Sequence, residues 1–196
     1  MTRCGCSKIK VVTNGTDVVI ICLAYFHLIN DLKESWLIFG KGKSKGFITI
    51  QAIAEQFGPA KCKALLGFHA IDGCDRVSAF YGRGKKHAWE VWNKFSAVTE
   101  VFTKISQAPD SIPQNIMGLA EKFVVLLYPN SLAYYVATVG KARSKLFQFG
   151  CKDFDHLTPP QNAFKHHVQP TQQVTYGVKL YKNVQQCLHL YFGYME

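Results

Sequence analysis

Phe68-His69-Ala70-Ile71-Asp72-Gly73-Cys74-Asp75-Arg76-Val77-Ser78-Ala79-Phe80-Tyr81-Gly82-Arg83-Gly84-Lys85-Lys86-His87-Ala88-Trp89-Glu90-Val91-Trp92 is the stretch around which the rest of the chain is organised. It holds a carboxylate in Gly73-Cys74-Asp75, then a cationic turn with two glycines, Gly82-Arg83-Gly84-Lys85-Lys86, then a helical run. Glycine tolerates turn geometry and brings no side chain to block an approaching group, so such a turn can expose consecutive amides to a phosphate. Asp75 has three readings at this level: a metal ligand, the N-cap of the next short helix, or a surface turn residue.

Upstream, Lys8 to Thr13 reads as a short strand stopped by Asn14-Gly15. Thr16 or Asp17 is well placed to cap the apolar run that follows, and Asp17 is equally a carboxylate at the carboxyl end of a parallel strand, where open α/β sheets bind ligands. The run Val18 to Ile29 contains His27 and is too short to span a bilayer, so it is expected to be a buried element. Trp36-Leu37-Ile38-Phe39 and Phe47-Ile48-Thr49-Ile50 read as strands joined by a basic hairpin-like loop carrying Lys41, Lys43 and Lys45. That loop is not a P-loop, because Leu37 stands where the first glycine belongs ahead of Gly42-Lys43-Ser44. It is either a phosphate contact or a solvated turn. From Gln51 the apolar spacing predicts a helix, a break at Gly58-Pro59 and a second helix to about His69.

Downstream the pattern turns helical. Ala88, Val91, Trp92 and Phe95 recur at helical spacing and should bury Trp92 against the preceding helices. Ser96 and Thr99-Glu100 open the next helix, Ser111-Ile112-Pro113 starts what reads as the longest one, ending at Tyr128-Pro129, and Thr138 to Phe147 reads as a shorter basic helix. Asp153 to Pro160 is a turn, and Gln161 to Val168 one more helical segment. His156, His166, His167 and Cys151 lack zinc-site spacing. The last twenty residues carry no periodic pattern.

With 48% hydrophobic residues in 196, the chain has enough apolar content for a core and the length of one domain or one with an appendage. A net charge of +10 permits contact with nucleic acid or an acidic surface. Its seven cysteines form an odd, irregular set unlike a disulfide framework, which points to a reducing, intracellular setting, the nucleus included.

The central block Leu65-Leu66-Gly67-Phe68-His69-Ala70, Gly73-Cys74-Asp75, Ser78-Ala79-Phe80 and Gly82-Arg83-Gly84-Lys85-Lys86-His87-Ala88-Trp89 resembles uncharacterised animal proteins, often associated with mobile elements, that carry a PIN-like or flap-endonuclease-like nuclease domain. The likeness runs more loosely through Glu121 to Tyr128, Ala142 to Phe147 and Pro159-Pro160. It implies an α/β fold: a partial PIN-like parallel sheet with a helix-hairpin-helix over 8–95 and a mainly α-helical extension over 96–196. It also implies that Asp17 and Asp75 are vestigial metal-binding acids, that Mg²⁺ is the metal if the site is active, and that Gly82 to Ala88 is a hairpin gripping a DNA phosphate beside a monovalent cation. In that chemistry carboxylates gather two Mg²⁺ ions about 4 Å apart.

The chain departs from the family pattern at the acids. Gly15 stands where the first acid of an Asp-x-Asp pair belongs, and none of the fourteen residues before it is Asp or Glu. Asp17 and Asp75 alone do not make a two-metal site. The expectation is therefore the latter half of a nuclease domain plus its extension: an inactive module that binds DNA phosphates without sequence preference through Gly82, Arg83, Gly84, Lys85 and Lys86, helped by Lys41, Lys43 and Lys45. Two alternatives stand beside it. One is a metal-dependent nuclease completed by missing sequence or a partner, with Glu55, Asp72 and Glu90 as spare carboxylates. The other is a vestigial or protein-interaction module without nucleic-acid binding. No membrane partner is expected, while a sheet stripped of its first strands would expose edges that self-association or a protein partner could cover.

Overall fold

The computed structural model describes residues 8–28, 34–40, 45–72, 80–107, 111–129 and 136–168. Their contacts separate two units, one holding the described residues up to Leu66 and the other those from Gly67 on. The boundary that the resemblance implied, between residues 95 and 96, lies within the second unit.

In the first unit, strand β1 (Lys8–Thr13) leads into helix α1 (Thr16–Tyr25), a short 3-10 turn (Phe26–Leu28), strand β2 (Glu34–Phe39) and strand β3 (Gly46–Thr49). β1 and β2 pair in parallel, with Val11 opposite Leu37, which is why a helix must carry the chain back between them. β2 and β3 pair antiparallel, with Leu37 opposite Ile48, as the short connection allows. The sheet, in order β1-β2-β3, is therefore mixed, as the hairpin-like loop suggested, and not the parallel one that the resemblance implied.

Alternation sorts the two faces of the sheet. Leu37 is fully buried and Ser35 nearly so on one face, whereas Lys8, Lys10 and Val12 of β1 are exposed on the other. The register sets Val12, Ile38 and Phe47 in one row across that second face, with Trp36 in the next row. Val12 is 66% exposed and Phe47 68%.

Helix α2 (Ile50–Asp72) breaks at Gly58, whose φ of 74° and ψ of 163° lie outside helical values, and Pro59 opens the second half where its missing N–H costs nothing. The Ala54 carbonyl beside this break accepts the Cys62 thiol at 3.7 Å. Helices α3 (Lys85–Lys94), α4 (Val98–Ser106), α5 (Gln114–Leu126), α6 (Val139–Gln148) and α7 (Gln161–Val168) follow, with a 3-10 turn at Phe154–His156. Counted from Pro59, past the break, the second half of α2 is about as long as the 13-residue α5.

The core of the second unit is aromatic. Trp92 is 1% exposed, with ring centroids of Phe68 at 4.9 Å, Trp89 at 5.1 Å and Phe102 at 4.9 Å, and its indole N–H donates to Thr99 Oγ1 at 2.9 Å. Phe102 then meets Phe123 edge to face at 5.2 Å, carrying the cluster into α5. A buried carboxylate joins the last three helices. Glu121 on α5 accepts the Val139 amide at the start of α6 (3.1 Å) and the Gln161 side-chain amide of α7. Thr138 caps α6 by accepting the Lys141 N–H, and Arg143 on the same helix donates to the Thr158 carbonyl.

Candidate functional site

The glycine turn belongs to the second unit and is built from three short-range features. The Arg83 N–H donates to the Phe80 carbonyl at 3.0 Å, closing a four-residue turn whose third residue, Gly82, has φ 68°. This left-handed value is the conformation a type II turn demands of its third residue, and it is the reason for glycine there. Gly84 is different: its dihedrals are ordinary, it serves as the extended N-cap of α3, and a Cβ added there would meet nothing within 4 Å. The glycine at 84 leaves open space over the first amides of α3.

Two contacts fasten the turn from below. Phe80 is buried with its ring 5.3 Å from that of His167, and His167 Nε2 donates to the Ile71 carbonyl at 2.8 Å. Arg83 is half-buried, with its guanidinium 4.6 Å from the centre of the Tyr128 ring, and Tyr128 donates its hydroxyl to the Leu157 carbonyl at 3.1 Å. Its Nε is buried with no hydrogen-bond partner among the described residues. The sequence placed Arg83 beside the lysines as a phosphate ligand, and the structure stacks its guanidinium on the Tyr128 ring.

The upper side of the turn is open. Tyr81, Gly82, Gly84, Lys85 and Lys86 are exposed, and α3 has no acidic residue in its first turn. A helix N-terminus carries partial positive charge from its unpaired N–H groups, so Lys85 and Lys86 add whole charges where the dipole already favours an anion. Lys85 Nζ reaches back to His69 Nδ1 on α2 at 3.2 Å. Helices thus bracket the turn, α2 before it and α3 after it.

Asp72 is the carboxylate beside this turn that sequence reasoning ranked only as a spare. It is 3% exposed, and neither carboxylate oxygen has a hydrogen-bond partner among the described residues. Burial pushes its carboxyl up to about 6, while the positive charge of Lys85 pulls the other way. The signal for it in the sequence was only its place at the end of the apolar stripe of α2, which does not distinguish a buried acid from a surface one.

Asp17 is exposed in the first turn of α1, with Gly15, not Thr16 or Asp17, as the N-cap. The Gly15 N–H donates to Thr13 Oγ1 at 3.1 Å. Asp17 thus follows the carboxyl end of a strand that pairs in parallel, and its charge also suits a helix N-terminus. Asp75, Lys41 and Lys43 lie outside the described residues, and Lys45 is exposed just before β3 in the first unit. Among the described residues no three His, Cys, Asp or Glu side chains converge on a point that could hold a metal ion, so these residues supply no two-metal clamp for Mg²⁺. His156 pairs with Asp153 at 3.5 Å and His167 with a backbone carbonyl, in keeping with structural roles. No helix of the described residues is long and apolar enough to cross a membrane. No protein-family model, no curated protein and no solved structure matches the chain.

Proposed function

We propose that this chain is a degenerate nuclease-like module that binds DNA through its phosphates without reading sequence, and that the turn from Phe80 to Lys86 is the contact. The observation that carries this reading is the left-handed Gly82 turn, which sets exposed Lys85 and Lys86 on the open N-terminus of α3. A net charge of +10 supports it. The PIN-like relationship is part of the same proposal. Its support is the parallel β1-α1-β2 crossover with Asp17 just beyond the strand, and the helices on either side of the glycine turn.

Titration of labelled duplex and flap DNA at two salt concentrations tests the contact. Phosphate binding predicts affinity that falls steeply with salt and little preference among sequences. Gly84→Ala is the sharpest variant, since a Cβ there meets no protein atom but would crowd a bound phosphate. Binding left intact by Gly84→Ala and Lys86→Ala together would end the reading. With Mg²⁺ or Mn²⁺ present, the flap should remain uncut; cleavage that vanishes in Asp75→Asn would replace this reading with an active nuclease.

A second reading, a protein-interaction module, has one observation in its favour. The sheet face that holds Lys8 and Lys10 also leaves Val12, Trp36 and Phe47 exposed, and exposed apolar side chains grouped in this way mark association surfaces. Sedimentation of the wild type and of Phe47→Lys separates self-association from a monomer.

A further inference from the structure

We infer that Tyr81 and Phe154 form a stacking surface beside the glycine turn, and that the polynucleotide it takes is single-stranded. This rests on the phosphate reading of the turn and adds the class of strand. Tyr81 is 58% exposed and Phe154 68%, although each would gain by burial. They are neighbours through His156: the Tyr81 ring stands 4.9 Å from the His156 ring at 81°, and Phe154 opens the same 3-10 turn that His156 closes. The phosphate turn and the Phe154 segment are therefore adjoining parts of one surface.

The composition of that surface suits bases. In the second unit every exposed large hydrophobic residue among those described is aromatic: Tyr81, Phe147, Phe149 and Phe154. Unpaired bases need flat rings interleaved with cations, and this surface offers both. The cations are in place. The Arg143 guanidinium lies 6.0 Å from the Phe154 ring centre, and Lys141, Lys145 and Lys152 are exposed on the same stretch of chain. Two exposed carboxylates, Asp153 and Asp155, flank Phe154, with Asp153 accepting the Asp155 N–H at 3.0 Å and facing His156 at 3.5 Å, and they are outnumbered by Lys141, Arg143, Lys145 and Lys152. Bases in a duplex are already stacked on each other and offer no face to Tyr81 or Phe154, while a single strand does.

Fluorescence anisotropy with labelled oligothymidine, oligouridine and a duplex of equal length tests the inference on the full chain. Tyr81→Leu with Phe154→Leu should weaken single-strand binding at least about 30-fold, taking roughly 1 kcal/mol for each lost stack, and leave duplex binding within about twofold. The retained duplex binding of the leucine pair excludes misfolding as the cause, and the ring-retaining pair Tyr81→Phe with Phe154→Tyr should bind as the wild type does. Tighter binding of oligouridine would assign RNA and of oligothymidine DNA, each within the inference. Single-strand binding unchanged in the leucine pair, with Lys86→Ala weakening single strand and duplex alike, would overturn the stacking surface and leave the phosphate turn standing. Single-strand binding lost in the leucine pair but untouched by Lys86→Ala with Gly84→Ala would keep the surface and overturn the turn.

Discussion

Gly67 and Phe102 meet backbone to backbone: a Cβ on Gly67 would overlap the Phe102 carbonyl oxygen and stand 2.8 Å from its Cα. Helices α2 and α4 approach this closely only because position 67 has no side chain, and the approach brings Phe68 to 5.4 Å from the Phe102 ring. Gly67→Ala would force the helices apart and loosen the aromatic cluster around Trp92. The expected cost is about 3 kcal/mol, the upper part of the range for overpacking, because the clash is with backbone and not with the end of a flexible side chain. Chemical unfolding measures it, and a variant as stable as the wild type would show that the two helices can separate freely.

Asp72 makes stability depend on pH. Its carboxyl is raised in the folded chain from the ordinary 3.8 to about 6, so the folded state holds the proton more tightly than the unfolded one. The stabilisation from this group is complete below the lower value and is lost as the pH rises through the higher one. A shift of about two units corresponds to roughly 3 kcal/mol. Asp72→Asn should remove most of the decline that the wild type shows between about pH 4 and pH 7, and should be the more stable protein at the upper end. Parallel profiles for the two proteins in thermal unfolding would mean that Asp72 does not titrate in this window.

Glu121 should matter for folding and not for binding. Glu121→Leu leaves the Val139 amide and the Gln161 side-chain amide without their acceptor in a buried place, at a cost of about 2–4 kcal/mol. Hydrogen exchange should show α6 and α7 opening together in the variant. Unchanged protection of both helices would show that other contacts hold them to α5.

Two cations three residues apart should behave differently. Lys86→Ala is expected to leave stability within about 0.5 kcal/mol and to lower the salt slope of DNA binding by about one. Arg83→Ala removes the guanidinium from the Tyr128 ring and should cost about 1–2 kcal/mol of stability, the size of a largely desolvated cation-aromatic contact. Unfolding and salt titrations on both variants check this, and an Arg83→Ala protein with native stability but a reduced salt slope would return Arg83 to the phosphate site.

Much of the local structure was legible because local rules govern it. The β-branched run Ile9-Lys10-Val11-Val12 and the turn at Asn14-Gly15 give β1, Gly58-Pro59 breaks α2, Pro113 precedes α5, and Thr138 caps α6. Each depends on dihedral preference or periodicity within a few residues. The direction of β3 was legible in its short connection, although the resemblance pointed to a parallel sheet. The site was less so. Arg83, Lys85 and Lys86 look alike in the sequence, and only their partners in space separate a cation committed to Tyr128 from one that pairs with His69 and one that faces solvent.

The sequence by itself determined where most helices and strands begin and end, that the chain is strongly basic, and that Gly82 sits in a turn, because these follow from bonded geometry and composition. Only the tertiary structure decided that Asp72 is buried without a hydrogen-bond partner among the described residues, that Glu121 ties three helices, and that Tyr81 reaches the Phe154–His156 turn. Desolvation and contact between groups more than seventy residues apart in sequence, as Tyr81 and His156 are, depend on how elements pack, and no spacing along the chain encodes them.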